Sequence, residues 1–139
     1  MVAPVRYVSY LPLVLAKINS TTEHRLEMAV SIYHKQWLEL MASEKSGRVY
    51  NRGGKAHQAS APGEPPAVDT GLLRASFFPQ PGQIVIGKSA TEMWVDIGVG
   101  ANVLYATYLE YGTRFMAPRP LWRPAFEMTK GRINALFII

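Results

Sequence analysis

The most regular hydrophobic pattern of the chain lies between residues 20 and 44. Apolar side chains recur there at steps of three, four or one, at Leu26, Val30, Tyr33, Trp37, Leu40 and Met41. This spacing places them on one face of an amphipathic helix. Ser20 and Glu23 have the spacing of a capping box, and Gly47 is a residue type that often follows a helix. The pattern therefore predicts a helix over roughly 20–44. Ahead of it, residues 5–9 hint at a strand or an extended arm, and Pro12 can open a short helical turn.

Residues 45–69 differ in kind, because they show no apolar period. They contain four glycines and three prolines. A structureless loop of this length is unusual inside a compact domain. We therefore expect the segment to be disordered or to be ordered by something outside its own subunit. Residues 61–66 should be extended and similar to polyproline, since residues before proline avoid the helical region.

Shorter elements are expected beyond residue 69. Asp69 or Thr70 can cap a helix that runs from Gly71 to about Phe78. Residues 83–87 and 93–98 are predicted to be two strands of an antiparallel hairpin.

The last third of the chain is predicted to be mainly helical. Residues 105–111 suit a helical turn or a third strand, and residues 121–139 suit a closing helix with Pro124 in its first turn. The expected fold is one α+β domain. It has a long N-terminal helix packed on a small antiparallel sheet, a long protruding loop over 45–69 and a C-terminal helix.

Composition supports a single globular domain. The 139 residues are 48% hydrophobic and 18% charged, and they include no cysteine. Disulfides and thiolate metal sites are thereby excluded. The net charge of +5 attracts a polyanion weakly without requiring one. The apolar stretch over 11–18 is too short to span a bilayer, so we expect a soluble protein with no membrane contact.

The residues that carry chemistry do not form a recognisable catalytic pattern. His24 and His34 lie out of phase on the predicted helix and cannot share a metal. Glu64 and Asp69 lie in a proline-rich loop, without the rigid frame that acid–base catalysis needs. No phosphate-binding or nucleophile motif is present. We therefore expect no enzyme activity, metal or cofactor.

A basic run follows the long helix and has two interpretations. It comprises Lys45, Arg48, Tyr50, Arg52 and Lys55. The run can meet nucleic-acid phosphates, with the tyrosine stacking on a base. It can equally be a solvated loop that charge keeps soluble. The run therefore makes a small basic nucleic-acid-binding module an alternative function for this chain.

Two segments resemble the signature of a known phage protein family. Residues 57–76, HQASAPGEPPAVDTGLLRAS, contain a serine/alanine-proline-glycine-glutamate-proline-proline segment followed by Asp-Thr-Gly-x-Leu-x-x-Ser. Residues 105–125, YATYLEYGTRFMAPRPLWRPA, contain Tyr-Ala-x-x-x-Glu-x-Gly-Thr followed by Pro-x-Arg-Pro. Their order and spacing are similar to those of the neck and tail-completion proteins of tailed bacteriophages, the HK97-type minor tail component family.

The resemblance implies a structural subunit of the virion. Such subunits assemble in the host cytoplasm into a ring of six- or twelve-fold symmetry at the head–tail junction. The ring joins portal-side connector or head-completion proteins to the tail tube or tail terminator. The resemblance implies no catalysis and leaves open whether the role is that of neck or tail-completion protein. Non-specific contact with DNA in the lumen is compatible with it.

The residues expected to face a neighbouring subunit or DNA belong to the loop and to the second motif. A ring subunit can reach its neighbour with a long arm, and the 45–69 loop suits that role. Glu110 and Arg119 are expected to join ion pairs at a corner or an interface. The full set is Lys45, Arg48, Tyr50, Arg52, Lys55, Pro62, Glu64, Pro65, Pro66, Glu110 and Arg119. The apolar residues 136–139 should pack on the core or on a partner.

Overall fold

The structure, a computed structural model, describes residues 11–79, 83–100 and 102–138. In chain order the elements are α1 (Leu11–Ala42), β1 (Val49–Arg52), β2 (Lys55–Gln58), α2 (Leu72–Ala75), β3 (Phe77–Phe78), β4 (Gly87–Lys88), β5 (Met93–Trp94), β6 (Gly98–Val99), α3 (Tyr105–Tyr111) and α4 (Trp122–Phe137). The predicted α+β class is confirmed: the long N-terminal helix packs on small antiparallel sheets and on a C-terminal helix. The arm expected at 5–9 lies outside the described residues.

The first helix begins nine residues earlier than predicted. Ser20 is not a cap but an interior residue, and its hydroxyl donates to the carbonyl of Lys17 over 3.0 Å. The hydroxyls of Thr21 and Thr22 likewise donate to carbonyls one turn back, each over 2.9 Å. Because these side chains bond back to the preceding turn, the polar run does not interrupt the helix. The predicted end, at residue 44, is close to the observed end at Ala42.

The predicted apolar stripe of α1 forms one side of the core. Val30, Tyr33, Trp37 and Met41 are buried, whereas Leu26 and Leu40 are half-buried. The preceding turns of the helix carry exposed apolar side chains, with Leu13, Val14, Leu15 and Ile18 between 49% and 70% exposed.

An aromatic cluster joins α1 to β3 and α4. The ring centroid of Trp37 lies 5.2 Å from that of Phe77 and 5.5 Å from that of Trp122. Phe77 and Trp122 are stacked at 5.9 Å. The hydroxyl of Tyr33 donates to the carbonyl of Trp122 over 2.9 Å. Three elements that are distant in sequence are thereby held at one point.

The segment 45–69, expected to lack regular structure, contains an antiparallel hairpin. β1 pairs with β2 from Val49 opposite Gln58 to Arg52 opposite Lys55. Gly53 and Gly54 form the two-residue turn, with φ of 58° and 81°. Positive φ at both positions is the geometry of the turn that best suits a tight hairpin. The side chains of both strands are exposed except that of His57, which is half-buried, so the turn rather than a buried apolar face specifies the hairpin.

The expectation of an extended 61–66 segment is wrong over its first half. The amide of Glu64 donates to the carbonyl of Ala61 over 3.1 Å, and Gly63 has a φ of 82°. With Pro62 in the second position, these features define a type II turn. The chain therefore reverses direction at the middle of the first motif.

The second predicted helix is shortened to one turn. α2 spans only Leu72–Ala75, and its N-cap is Gly71 rather than Asp69 or Thr70. Phe77–Phe78 is a strand instead, paired with Gly98–Val99. Phe77 and Phe78 pair with a strand about 20 residues further along the chain, and this tertiary pairing overrides the local helical preference.

An antiparallel hairpin forms within residues 83–98 as expected, but its strands are shorter, and the first is displaced from 83–87 to Gly87–Lys88. β4 and β5 pair antiparallel over two residues each, with Gly87 opposite Trp94 and Lys88 opposite Met93. Gly98, predicted to end the second strand, belongs to the separate β3–β6 sheet.

The last two helices follow the prediction. Residues 105–111 form a helix rather than a third strand, and the closing helix contains Pro124 in its first turn. At its end, Leu136 is half-buried, Phe137 is 38% exposed and Ile138 is 75% exposed. Coverage of this terminus by a partner remains a prediction. None of the helices in the described segments is long and apolar enough to cross a membrane.

The aromatic cluster yields the first prediction. Replacing Trp37, which is fully buried, by alanine should lower the free energy of unfolding by about 3–5 kcal/mol, because a large cavity remains. Tyr108→Ala, at a site 58% exposed, should change it by less than about 0.5 kcal/mol. Urea unfolding monitored by circular dichroism measures both. Equal losses in the two variants would contradict the assignment of Trp37 as the centre of the core.

Candidate functional site

The two sequence motifs fold against each other through their main chains. The amide of Gly63 donates to the carbonyl of Pro118 over 2.9 Å. The Nε of Arg119 donates to the carbonyl of Ser60 over 3.1 Å, and its amide donates to the carbonyl of Leu109 over 2.7 Å. Arg119 therefore joins the first motif, α3 and the segment that leads into α4.

Glu110 closes the N-terminus of α4. Its Oε2 accepts the amides of Leu121 and Trp122 over 2.7 and 3.0 Å, and its Oε1 accepts the amide of Arg123 over 3.0 Å. The first amides of a helix lack partners within the helix and carry partial positive charge. Glu110 and Arg119, expected as members of ion pairs, thus bind main-chain groups instead.

The same carboxylate influences the aromatic cluster. Burial, and secondly the charge of Glu110, raise the pKa of the Tyr33 phenol well above its ordinary value. The phenol accordingly keeps its proton and serves as the donor to the carbonyl of Trp122.

Glu64 closes the base of the β1–β2 hairpin. Its carboxylate accepts the hydroxyl of Ser46, the amide of Ala61 over 2.8 Å and the amide of Ser46 over 3.0 Å. These bonds, the Ser46 hydroxyl foremost, lower the pKa of Glu64 to about 2. A carboxylate that accepts several hydrogen bonds is stabilised in its charged form. Glu64 is therefore a structural clamp between the two ends of the hairpin.

Two of the four cations in the basic run have partners within the chain. The Nζ of Lys45 donates to the carbonyl of Leu40 over 2.9 Å and to the hydroxyl of Ser43 over 2.8 Å, at the end of α1. Burial lowers the pKa of Lys45. Arg52 forms an ion pair with Asp69.

The other two cations of the run, Arg48 and Lys55, are exposed. Neither has an ion-pair partner among residues 11–79, 83–100 and 102–138. They are the cations of this segment that are available to a ligand or to another subunit.

The pairing register of the hairpin places aromatic and basic side chains on one face. Tyr50 lies opposite His57, with ring centroids 5.3 Å apart, and Arg52 lies opposite Lys55. Because side chains alternate along a strand, these four share a face. The opposite face carries Val49, Asn51, Ala56 and Gln58.

This basic face borders a groove, which we call the hairpin groove. The groove has a volume of about 560 Å³ and lies between the hairpin, residues 66–74 and α3. Its floor includes the buried side chains of Met41 and Leu73. Its remaining walls include the exposed rings of Tyr50 and Tyr105 and the cations of Arg74 and Arg119.

The three predicted prolines occupy different positions around this groove. Pro62 is exposed in the type II turn, Pro65 is half-buried, and Pro66 is buried and lines the groove. Arg74 and Tyr105 are residues of the groove that the sequence reasoning did not select. They come from separate segments, and only the folded chain brings them together.

A second depression of about 630 Å³ lies beside α3 and the strand Gly98–Val99. Its lining includes Glu110, which already accepts three amides, together with Trp122 and Arg123. Within the described residues, no group of three or more histidine, aspartate or glutamate side chains is placed to hold a metal ion. The hairpin groove is therefore the candidate site.

No protein-family model, curated protein or solved structure matches this chain.

The Glu64 clamp predicts a specific response to acid. Because its pKa is lowered from 4.5 to about 2, its contribution to stability is present above pH 4.5 and is lost as the pH falls through about 2. An NMR titration of the side-chain carboxyl carbon should report a midpoint near 2. Glu64→Gln should be less stable at pH 7 and should lose less stability between pH 4.5 and 2 than the unsubstituted protein. A midpoint near 4.5 would disprove the clamp.

The capping role of Glu110 predicts that its removal costs more stability than the removal of an exposed glutamate of α4. Glu110→Ala should lower the free energy of unfolding by about 2 kcal/mol, since it leaves three helix amides without their acceptor. Glu127→Ala serves as the control, because Glu127 is exposed on α4 and its carboxylate pairs, among the described residues, only with Lys130. Its cost should stay below about 0.5 kcal/mol. Chemical denaturation compares them, and similar costs would contradict the capping role.

Proposed function

We propose that this chain is a structural subunit of the head–tail junction of a tailed phage, as a neck or tail-completion protein. In this role it assembles into a ring between portal-side connector proteins and the tail tube. The proposal begins from the two motifs, which resemble those of that protein family. The observation that supports it further is what the charged side chains of the two motifs contact. Glu64, Glu110 and Arg119 hydrogen-bond to the main chain rather than converging on a reaction centre.

The exposed surface also suits a subunit of an assembly. Leu104, Tyr108, Tyr111 and Phe115 are between 58% and 84% exposed along α3 and the turn that follows it. The first three are spaced by four and three residues and lie on one helix face. Exposed aromatic side chains grouped in this way are typical of protein interfaces.

A second candidate function is supported by the basic face of the hairpin. Tyr50 and His57 supply rings for stacking, and Arg48 and Lys55 are free to contact phosphates. This is the arrangement of a small nucleic-acid-binding module. The two functions overlap, because DNA passes through the lumen of a head–tail ring. Contact through an exposed two-stranded hairpin favours phosphate binding over base recognition.

The ring is tested by mass and by microscopy. We expect purified protein to form rings of six or twelve subunits, visible in negative-stain images and as one discrete mass by native mass spectrometry. A phage lacking the protein should accumulate separate heads and tails. A protein that stays monomeric at all concentrations, together with normally joined virions in its absence, would refute the proposal.

Substitution of the two free cations, Arg48 and Lys55, distinguishes the two candidate functions. In Arg48→Gln/Lys55→Gln, failure of ring assembly would indicate that the hairpin meets a neighbouring subunit, which is the outcome we expect. Intact rings with weaker DNA binding, equal for all sequences, would place the hairpin against DNA. In that case the slope of log affinity against log salt should fall by about 2. Lys17→Gln/Arg132→Gln, which removes the same charge from exposed positions, is the matched control.

A further inference from the structure

The acidic side chains of the chain are mostly engaged within it. Of ten acidic residues, seven contact a partner: Glu23, Glu27, Glu39, Glu64, Asp69, Glu110 and Glu127. The other three, Glu44, Glu92 and Asp96, are exposed and have no side-chain partner within the described parts of the chain. Two of these three, Glu92 and Asp96, lie on either side of β5 in the sequence.

Residues 92–96 present a row of alternating side chains. Glu92, Trp94 and Asp96 are exposed, whereas Met93 and Val95 are half-buried. Alternation of this kind places the three exposed side chains on one face of an extended segment. We call Glu92, Trp94 and Asp96 the acidic row.

Trp94 is held in place although it is exposed. Its indole lies over Gly87 of the neighbouring strand, where an added Cβ would come within 2.3 Å of the ring. The side chain is nevertheless 44% exposed. An indole already fixed on one side loses little conformational freedom when its free surface is covered. Tryptophan is also enriched among the residues that dominate binding at interfaces.

The hairpin groove is complementary to the acidic row in charge and in its aromatic and apolar lining. Its walls carry Arg74 and the rings of Tyr50 and Tyr105, over an apolar floor, and the carboxylate of Asp69, which also lines the groove, is paired with Arg52. Of the free cations, Lys55 begins β2 of the adjoining hairpin and Arg48 immediately precedes β1. A flat aromatic side chain between two carboxylates suits an apolar groove with cationic edges.

The acidic row does not line the hairpin groove of its own chain. We propose that the acidic row of one copy docks in the hairpin groove of a second copy. Trp94 lies over the apolar floor, and the carboxylates of Glu92 and Asp96 face Arg74 and the hairpin cations. The contact joins two different surfaces of the same chain, so it repeats from copy to copy and closes into a ring when the rotation permits. The inference rests on the proposed ring and names the surfaces that form it.

Site-directed cross-linking tests the contact, because the chain contains no cysteine. Arg74→Cys/Asp96→Cys should give a ladder of covalent multimers with a short bis-maleimide reagent, ending at the number of subunits in the ring. Either single variant should stop at dimers or below. Arg132→Cys/Asp96→Cys is the control pair, since Arg132 is exposed on α4, away from the groove. A ladder no stronger than that of the control would overturn the proposal.

Charge reversal gives a second and independent measure. Arg74→Glu and Asp96→Arg should each weaken self-association by about tenfold or more, and the two combined in one chain should restore it. Both residues are exposed, so the variants should keep the melting temperature of the parent protein. Failure of the combined variant to recover would overturn the proposal. Trp94→Ala is unsuitable as a test, because it also removes the packing on Gly87.

The outcomes distinguish this inference from the proposed function. Rings seen by microscopy that are indifferent to both charge reversals leave the ring in place and refute the docking contact. A monomer that forms neither rings nor ladders refutes both. Loss of DNA binding in Arg74→Glu with unchanged assembly would show that the groove holds nucleic acid, and the contact between copies would then be wrong.

Discussion

The packing of Trp37 against Phe77 and Trp122 is the interaction on which the other elements depend. The strands of β3–β6 and β4–β5 are two residues long, and sheets of this size are not stable by themselves. These strands are held in position by the packing of their side chains in and around the aromatic cluster. The indole N–H of Trp37 has no hydrogen-bond partner among the described residues, so packing alone fixes this side chain. The fold is thus a helical pair with short strands attached, rather than a sheet covered by helices.

Where the backbone has no regular secondary structure, two carboxylates hold it in place through hydrogen bonds to its amides. Backbone amides that leave water need acceptors, and the irregular segments around the two motifs lack strands to supply them. Glu64 accepts amides at the base of the hairpin, and Glu110 accepts those at the start of α4. A motif rich in proline, glycine and glutamate is therefore explained by backbone geometry. Its acidic residues need no catalytic role to account for their positions.

The parts of the fold that the sequence predicted are those with a local signal. The apolar period identified the buried face of α1, and the strand-like runs on both sides of residues 88–92 identified the β4–β5 hairpin. The start of α1 was missed because Ser20 has the spacing of a cap but bonds back to Lys17. The β1–β2 hairpin was missed because its strands are exposed on both faces and have no apolar alternation. The two-glycine turn was its only local signal. The hairpin groove has no such signal, since its walls come from segments that meet only in the folded chain.

The pairing of carboxylates also affects which charges of the surface stay unpaired. Four of the ten acidic side chains pair with a lysine or arginine of the same chain, which leaves the net charge of +5 unchanged and lowers the number of unpaired acidic groups. Among the described residues, the exposed acidic side chains without a side-chain partner are Glu44 and, beside Trp94, Glu92 and Asp96. Between two copies, this row offers unpaired carboxylates to a basic face, so electrostatics favours the encounters that bring the two together. Electrostatics of this kind contributes little to affinity, but it selects the orientation and the register of an encounter. If copies of this chain associate, selection of one orientation determines whether association closes or continues without limit.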